Sequence, residues 1–228
     1  MSEDEISQAL ATLSQHLQTT LPNARIDPHV LPDTEGLRLG LINADFPTGP
    51  LDPEVMHAVI AAPAYWSFCW GSGLATAQWL HAHPEIVADK RIGDLGSGSG
   101  VVAIAAQRCG AASVIACDND PHALAATVAN AQLNGLHLST TPIIEELRDL
   151  DILFVADVLY DKSNYPLLQQ AKSCAKHIIV ADSRISTSPD PEFEPTHQIE
   201  ALTYPNLGEF EEFRRVQFFE WRAPTTAT

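Results

Sequence analysis

Three glycines in five positions, at Gly96, Gly98 and Gly100, exclude both helix and strand for that stretch and demand a turn. Ahead of them, Ile92 and Leu95 read as the end of a short buried strand, with Asp94 at its carboxyl end. Behind them, Val101, Val102, Ala103, Ile104, Ala105 and Ala106 open an apolar helix that runs to about Cys109. Strand, glycine turn and helix in this order are the opening of a nucleotide-binding βαβ unit. Glycines there let the backbone approach a ligand more closely than any Cβ would allow.

A glycine-rich turn that holds no ligand is the bland alternative. A dinucleotide is another: Gly98-x-Gly100-x-x-Ala103 fits the permissive fingerprint, and Asp118 follows about 24 positions after Asp94, where an acid can accept ribose hydroxyls. Asp94 tilts the choice. A dinucleotide turn sets a pyrophosphate on the helix N-terminus, and a carboxylate beside it would repel that group. An acid at this place favours a cationic ligand without phosphate.

The chain has 228 residues, 45% of them hydrophobic, enough for one domain with a sizeable core or one domain with an extension. Its formal net charge of −16 excludes nucleic acid as a partner, because phosphate binding needs a basic face. The charge suits a cationic partner surface, or confers solubility alone. Cys69, Cys109, Cys117 and Cys174 lack Cys-x-x-Cys spacing and read as reduced core thiols of a cytoplasmic protein. No apolar run approaches the roughly 18 residues of a membrane span, and the acidic N-terminus fits neither a signal peptide nor a mitochondrial presequence. His81 and His83 have no acid or cysteine at ligand spacing, so no metal is expected.

In chain order, Ser2-x-x-Glu5 is a capping box for a helix carrying Ile6, Leu10, Leu13 and Leu17 on one face and ending at Pro22; it reads as a lid or brace. Leu37, Leu39 and Leu41 alternate as a short strand, and Asp52 caps a helix with Pro53 in its first turn. Tyr65, Trp66, Phe68 and Trp70 precede a Gly-Ser-Gly turn and a further helix; singly they suit a core, together they suit the wall of a cation pocket. Strands follow at 113–117, 140–144 and 151–156, with a helix over about 165–174 and a strand at 178–181. Asp118 and Asp157 stand at the ends of the second and fourth strands of this run. In an open α/β sheet the ligand lies there, where strand order reverses, so Asp157 should face the same cleft as Asp94. Asp182 and Arg184 read as an ion pair closing a strand end, in preference to direct substrate contact. Residues 198–203 and 216–221 read as an antiparallel pair, and 224–228 as a disordered tail.

Together, Tyr65-Trp66-Ser67-Phe68-Cys69-Trp70-Gly71-Ser72-Gly73, Asp94-Leu95-Gly96-Ser97-Gly98-Ser99-Gly100, Ala116-Cys117-Asp118 and Ala156-Asp157-Val158-Leu159-Tyr160-Asp161 resemble the class I methyltransferases that use S-adenosylmethionine (SAM). Within that class they resemble the protein lysine methyltransferases that include the enzyme acting on the electron transfer flavoprotein β subunit. The likeness spans about residues 60–185. It implies a doubly wound, Rossmann-like α/β fold with a seven-stranded, mostly parallel sheet. Residues 1–62 would be an N-terminal helical extension, and 63–223 the methyltransferase domain. Carried over by position, Asp94, Gly96 and Gly98 would bind the methionine end of SAM, with Trp70 and Gly73 nearby. Asp118 would hold the ribose with Asn119 beside it at the cofactor, and Asp157 and Tyr160 would lie at the acceptor amine; apart from the resemblance, Glu145 or Glu146 after the third strand could reach the adenine amine. Enzymes that methylate amino groups of nucleic acids or of glutamine usually carry Asn/Asp-Pro-Pro-Tyr there, so Val158-Leu159 speaks against those substrates.

The expected reaction is in-line attack of a protein lysine amine on the sulfonium methyl, with no metal, membrane or nucleic-acid partner. A ribosomal protein is a second possible substrate. Two other classes stay open: a small-molecule N- or O-methyltransferase, whose aromatic segment would enclose a flat substrate, and a SAM-binding protein without catalysis.

Overall fold

The computed structural model describes residues 3–224. The elements are α1 (Glu3–Gln18), β1 (Ile26–Val30), β2 (Arg38–Ile42), α2 (Pro53–Ala61), α3 (Gly71–Ala82), β3 (Arg91–Leu95), α4 (Val101–Arg108), β4 (Ser113–Cys117), α5 (Pro121–Leu133), β5 (Ser139–Thr141), β6 (Leu150–Ala156), α6 (Leu167–Ala171), β7 (Ala175–Asp182), β8 (Glu194–Glu200) and β9 (Arg215–Arg222). Seven strands form one sheet in the order β5-β4-β3-β6-β7-β9-β8. The first five run parallel, and β9 is antiparallel to both its neighbours.

Strand β6 shows why the sheet is buried on both faces. Ile152 and Phe154 point into a core shared with α3 and α4, while Leu153 and Val155 point into a second core shared with α6. Ile179 and Ala181 of β7 alternate with Ile178 and Val180 in the same way. Such double-sided burial needs a continuous apolar run. The order reverses between β3 and β6, and Leu95 lies level with Cys117 of β4 and Val155 of β6. The residues just past these strand ends therefore share one edge of the sheet.

The N-terminal segment shares its apolar side chains with the helical layer. Leu10, Leu13 and Leu17 of α1 pack with Ala123, Ala126 and Ala129 of α5 and with Trp66. Leu37, Leu39 and Leu41 are fully buried in the main core. β2 pairs with β1, a strand that the sequence reading missed. Two amides, one in α5 and one capping its C-terminus, dock this hairpin. Asn130 accepts from the Gly40 N–H at 2.6 Å, and Asn134 exchanges hydrogen bonds with both backbone groups of Arg38.

Several expected boundaries move. The strand expected at 140–144 is only Ser139–Thr141, after which the chain turns into a 3-10 helix at Ile144–Glu146. The helix expected over 165–174 is a 3-10 turn at Lys162–Asn164 followed by the short α6. The last hairpin pairs as expected, but β8 begins at Glu194, four residues before the expected start at 198. Asp182 and Arg184 do not pair through their side chains. The buried Asp182 carboxylate accepts from the backbone N–H groups of Arg184 and Leu159, while the Arg184 guanidinium stacks on Phe213 at 4.1 Å and lies 3.5 Å from Glu209. The expected capping residue Ser2 and most of the tail lie outside the described residues.

Candidate active site

At the carboxyl edge of the sheet lies a cavity of about 600 Å³. Trp70, Gly73, Asp94, Gly96, Gly98, Asp118, Asn119, Asp157 and Tyr160 all line it. Its floor is the glycine turn. Gly96 has a φ of +76°, and a Cβ there would meet Val158 at 2.5 Å; Gly98 has a φ of +52°, and a Cβ there would stand in open space. The two glycines differ in purpose: one is required by packing, the other leaves the backbone bare toward the cavity.

Each carboxylate is held differently. Asp94 is buried and accepts one protein hydrogen bond, from the Ala103 N–H of α4 at 3.1 Å. Burial pushes its carboxyl up to about 7, because water is lost faster than bonds replace it. Asp118 accepts from the Gly98 N–H at 2.9 Å and the Asp120 N–H at 3.0 Å, so it ties the glycine turn to the start of α5. Desolvation raises its carboxyl also.

Asp157 sits in a left-handed turn after β6, with a φ of +54°. The turn sends its carboxylate to the N-terminus of α3. It accepts from the Ser72 N–H at 2.8 Å, the Ser72 hydroxyl at 2.6 Å and the Gly73 N–H at 3.3 Å. Burial, and then the nearby Asp182, push its carboxyl up to about 7 against these bonds. The sequence reading placed Asp157 at an acceptor amine and did not foresee Ser72. The one cue was a serine between two glycines at a helix start, where donors lack intrahelical partners.

Aromatic side chains form the mouth. Tyr65 makes edge contacts with Trp70 at 5.8 Å and with Tyr160 at 5.6 Å, and the Trp70 indole N–H donates to the Tyr65 carbonyl. Trp66 lines the cavity from the buried side, whereas Phe68 packs on Trp70 outside the lining. Burial and the Tyr65 hydroxyl raise the Tyr160 phenol to about 12, so it stays protonated. Pro142 and Ile144 line the far wall in place of Glu145 and Glu146; Glu146 instead accepts from the Thr141 hydroxyl. Arg184 also lines the cavity, a role missed because its partners come from a distant loop.

A seven-stranded sheet in this order, with a glycine turn between two strand-end acids at its switch point, is the architecture of the class I SAM-dependent methyltransferases, and this chain shares that fold. Residues 71–173 match the family described as ribosomal protein L11 methyltransferase (PrmA). The electron transfer flavoprotein beta subunit lysine methyltransferase of Danio rerio is 38% identical over 103 residues, which cover 43% of this chain and 40% of that protein. Its namesake in Xenopus laevis is 28% identical over 169 residues, covering 66% of this chain and 69% of that one. A solved ribosomal protein L11 methylase from Lactobacillus delbrueckii subsp. bulgaricus has a TM-score of 0.51 at 21% identity, covering 66% of this chain and 78% of that one; it shares the fold. The chain thus spans about 40% of the length of the first of these relatives.

Proposed function

We propose that this protein transfers a methyl group from SAM to the side-chain amine of a lysine on a partner protein. The observation that carries the reading is one cavity that joins a bare glycine floor, the carboxylates of Asp94, Asp118 and Asp157, and an aromatic mouth. The residues fit SAM. Asp94 is buried with one hydrogen bond and can take up a ligand cation. Asp118 is fixed by two backbone donors in a pose that leaves lone pairs for ribose hydroxyls. Asn119 stands beside it, Trp70 and Gly73 close the methionine end, and Pro142 and Ile144 offer an apolar slot for a flat base. SAM, when bound, supplies an activated methyl on a sulfonium.

The chain's own residues position the amine. At pH 7 only about one free lysine in two thousand is neutral, from an unperturbed pKa near 10.4. The Asp157 carboxylate attracts the ammonium, holds the amine through a hydrogen bond once water has carried one proton away, and, still ionised, stabilises the cation that forms on transfer. Tyr65, Trp70 and Tyr160 flank the amine and exclude water. Transfer between a sulfonium and an amine needs no Lewis acid. The names of the relatives support a protein lysine on the electron transfer flavoprotein β subunit or on a ribosomal protein. The net charge of −16 supports a basic protein rather than a nucleic acid. Four free thiols, three of them buried, support a reducing, cytoplasmic setting. Among the described residues no helix is long and apolar enough to cross a membrane.

Incubation of a cell extract with tritiated SAM and the purified protein, then electrophoresis and mass spectrometry of the labelled band, tests the reading. Methyl-lysine in a protein band is the expected result. Label confined to small molecules or nucleic acid would overturn it.

A further inference from the structure

Helix α2 is an oddity. It carries Val55, Met56, Val59 and Ile60, yet it is the one α-helix among the described residues with no buried side chain. Val55 and Val59 are partly buried against the cluster that holds Trp66 and Phe68. That leaves Met56 and Ile60, one position round the helix, facing solvent, with Ile60 71% exposed. A helix normally spends such residues on a core.

These are not scattered. Seven large apolar side chains are exposed among the described residues; two line the cavity, a third stands between lining residues, and three lie on segments packed or bonded to lining residues. Tyr65 and Tyr160 line it. Ile143 stands between two lining residues, Pro142 and Ile144. Met56 and Ile60 sit on the helix that leads into Tyr65. Phe210, 72% exposed, follows Glu209, which holds the lining residue Arg184. Leu207 of the same loop packs into the cluster that holds α2, and Tyr204 bridges to Cys69. Acids outnumber bases among them: Asp52, Glu54, Glu145, Asp161, Glu211 and Glu212 are exposed, against Lys162, Arg184 and Arg214, the last paired with Glu211.

We propose that Met56, Ile60, Tyr65, Ile143, Tyr160 and Phe210 form the seat of the lysine-bearing substrate protein, and that the surface it accepts sets its lysine among apolar side chains and further bases. This rests on the function proposed above. A lysine has only a four-carbon stem, so the body that sends one through the mouth must lie on the rim. The apolar residues give that body contact area, and the acids select basic neighbours. A second copy of this chain would bring the same acids face to face, and an anionic membrane would be repelled by them. A small substrate would enter past the tyrosines and leave α2 and Phe210 untouched.

The test uses the acceptor protein identified by the labelling experiment, purified, with the parent protein, the double variant Met56→Ser/Ile60→Ser and the variant Phe210→Ser. All these side chains are exposed and outside the cavity lining, so SAM affinity and melting temperature are expected to match the parent. kcat/KM for the acceptor is expected to fall about tenfold or more in each variant, chiefly through KM, as for truncated interface anchors. Methylation equal to the parent's would overturn the seat while leaving the methyltransferase reading intact. A parent that labels no protein would sink that reading, and the seat with it. Light scattering on the same samples covers the remaining occupant: a parent dimer that the variants dissolve would assign the rim to a second copy instead.

Discussion

Asp157 has one duty on view and a second that the proposed function assigns, and one substitution can separate them. Its oxygens accept from Ser72 and Gly73, so it caps α3; it also lines the cavity, where the proposal gives its charge to the acceptor amine. Asp157→Asn keeps the shape. The amide oxygen can accept from the two backbone N–H groups, and the amide nitrogen can donate to the Ser72 hydroxyl. The expected outcome is a melting temperature at pH 7.5 no lower than the parent's, SAM affinity nearly unchanged, and turnover reduced about a hundredfold, as for removal of other transition-state electrostatic partners. Asp157→Ala removes both duties. It leaves two helix N–H groups short of an acceptor and should cost about 1–3 kcal/mol for each one left buried and unsatisfied. Denaturant unfolding and single-turnover rates on both variants check the separation. An Asp157→Asn protein that methylates at the parent rate would reduce Asp157 to its cap.

At the scale of elements, α5 is the hub. Its N-terminus begins beside Asp118, its apolar face carries α1, and its fully buried Asn130 joins two distant segments. The Asn130 side chain accepts from Gly40 of the hairpin and donates to the Ser99 carbonyl of the glycine turn at 2.9 Å. Asn130→Ala would strand both groups in the interior. The expected loss is roughly 1–3 kcal/mol per group, with weaker SAM binding because the turn loses its anchor. Calorimetry and urea unfolding on one sample read both effects. Asn130→Asp keeps one acceptor and should lose less stability below pH 4 than at pH 8. None of this was legible in the sequence, because a lone asparagine in a helix gives no hint of partners 90 and 31 residues away. What was legible had a local cause. The run β3–turn–α4 follows from glycine spacing, and β6 and β7 follow from unbroken apolar runs. β1 was hidden because Pro28 and His29 break its pattern and its pairing is with β2 alone. β5 has three residues, too few for an alternation to show. The nine expected site residues reached one cavity because each stands beside a strand end or helix start. Ser72 and Arg184 were not foreseen because their roles depend on partners brought in by the fold.

At the scale of the whole molecule, the site carries a cost in charge that its ligand should relieve. Asp94 and Asp157 are both pushed up to about 7, from an ordinary carboxylate value near 4. An acid whose pKa is higher folded than unfolded binds protons more tightly in the folded state. Its contribution to stability is therefore greatest below about pH 4 and declines as pH rises toward 7. Three histidines, His29, His81 and His197, are lowered by burial and act the opposite way, losing stability as pH falls through 6.5. The parent's pH profile sums these sets with other shifted groups, among them Asp118 and Asp182, raised, and Asp151, Asp190 and Glu220, lowered, so the Asp94 share has to be read as a difference. Asp94→Asn removes one buried charge and leaves the histidines in place. Its melting temperature minus the parent's should grow between pH 5 and pH 8 and level off above that. A cationic ligand favours the ionised carboxylates. SAM binding to the parent should accordingly release protons near pH 7 and tighten as pH rises from 6 to 8, with a smaller release in Asp94→Asn. Calorimetry in two buffers of different ionisation enthalpy measures that release directly. Proton uptake on binding, or a release unchanged in Asp94→Asn, would mean that Asp94 does not face the ligand's positive charge, and the methionine end would then have to be placed elsewhere in the cavity.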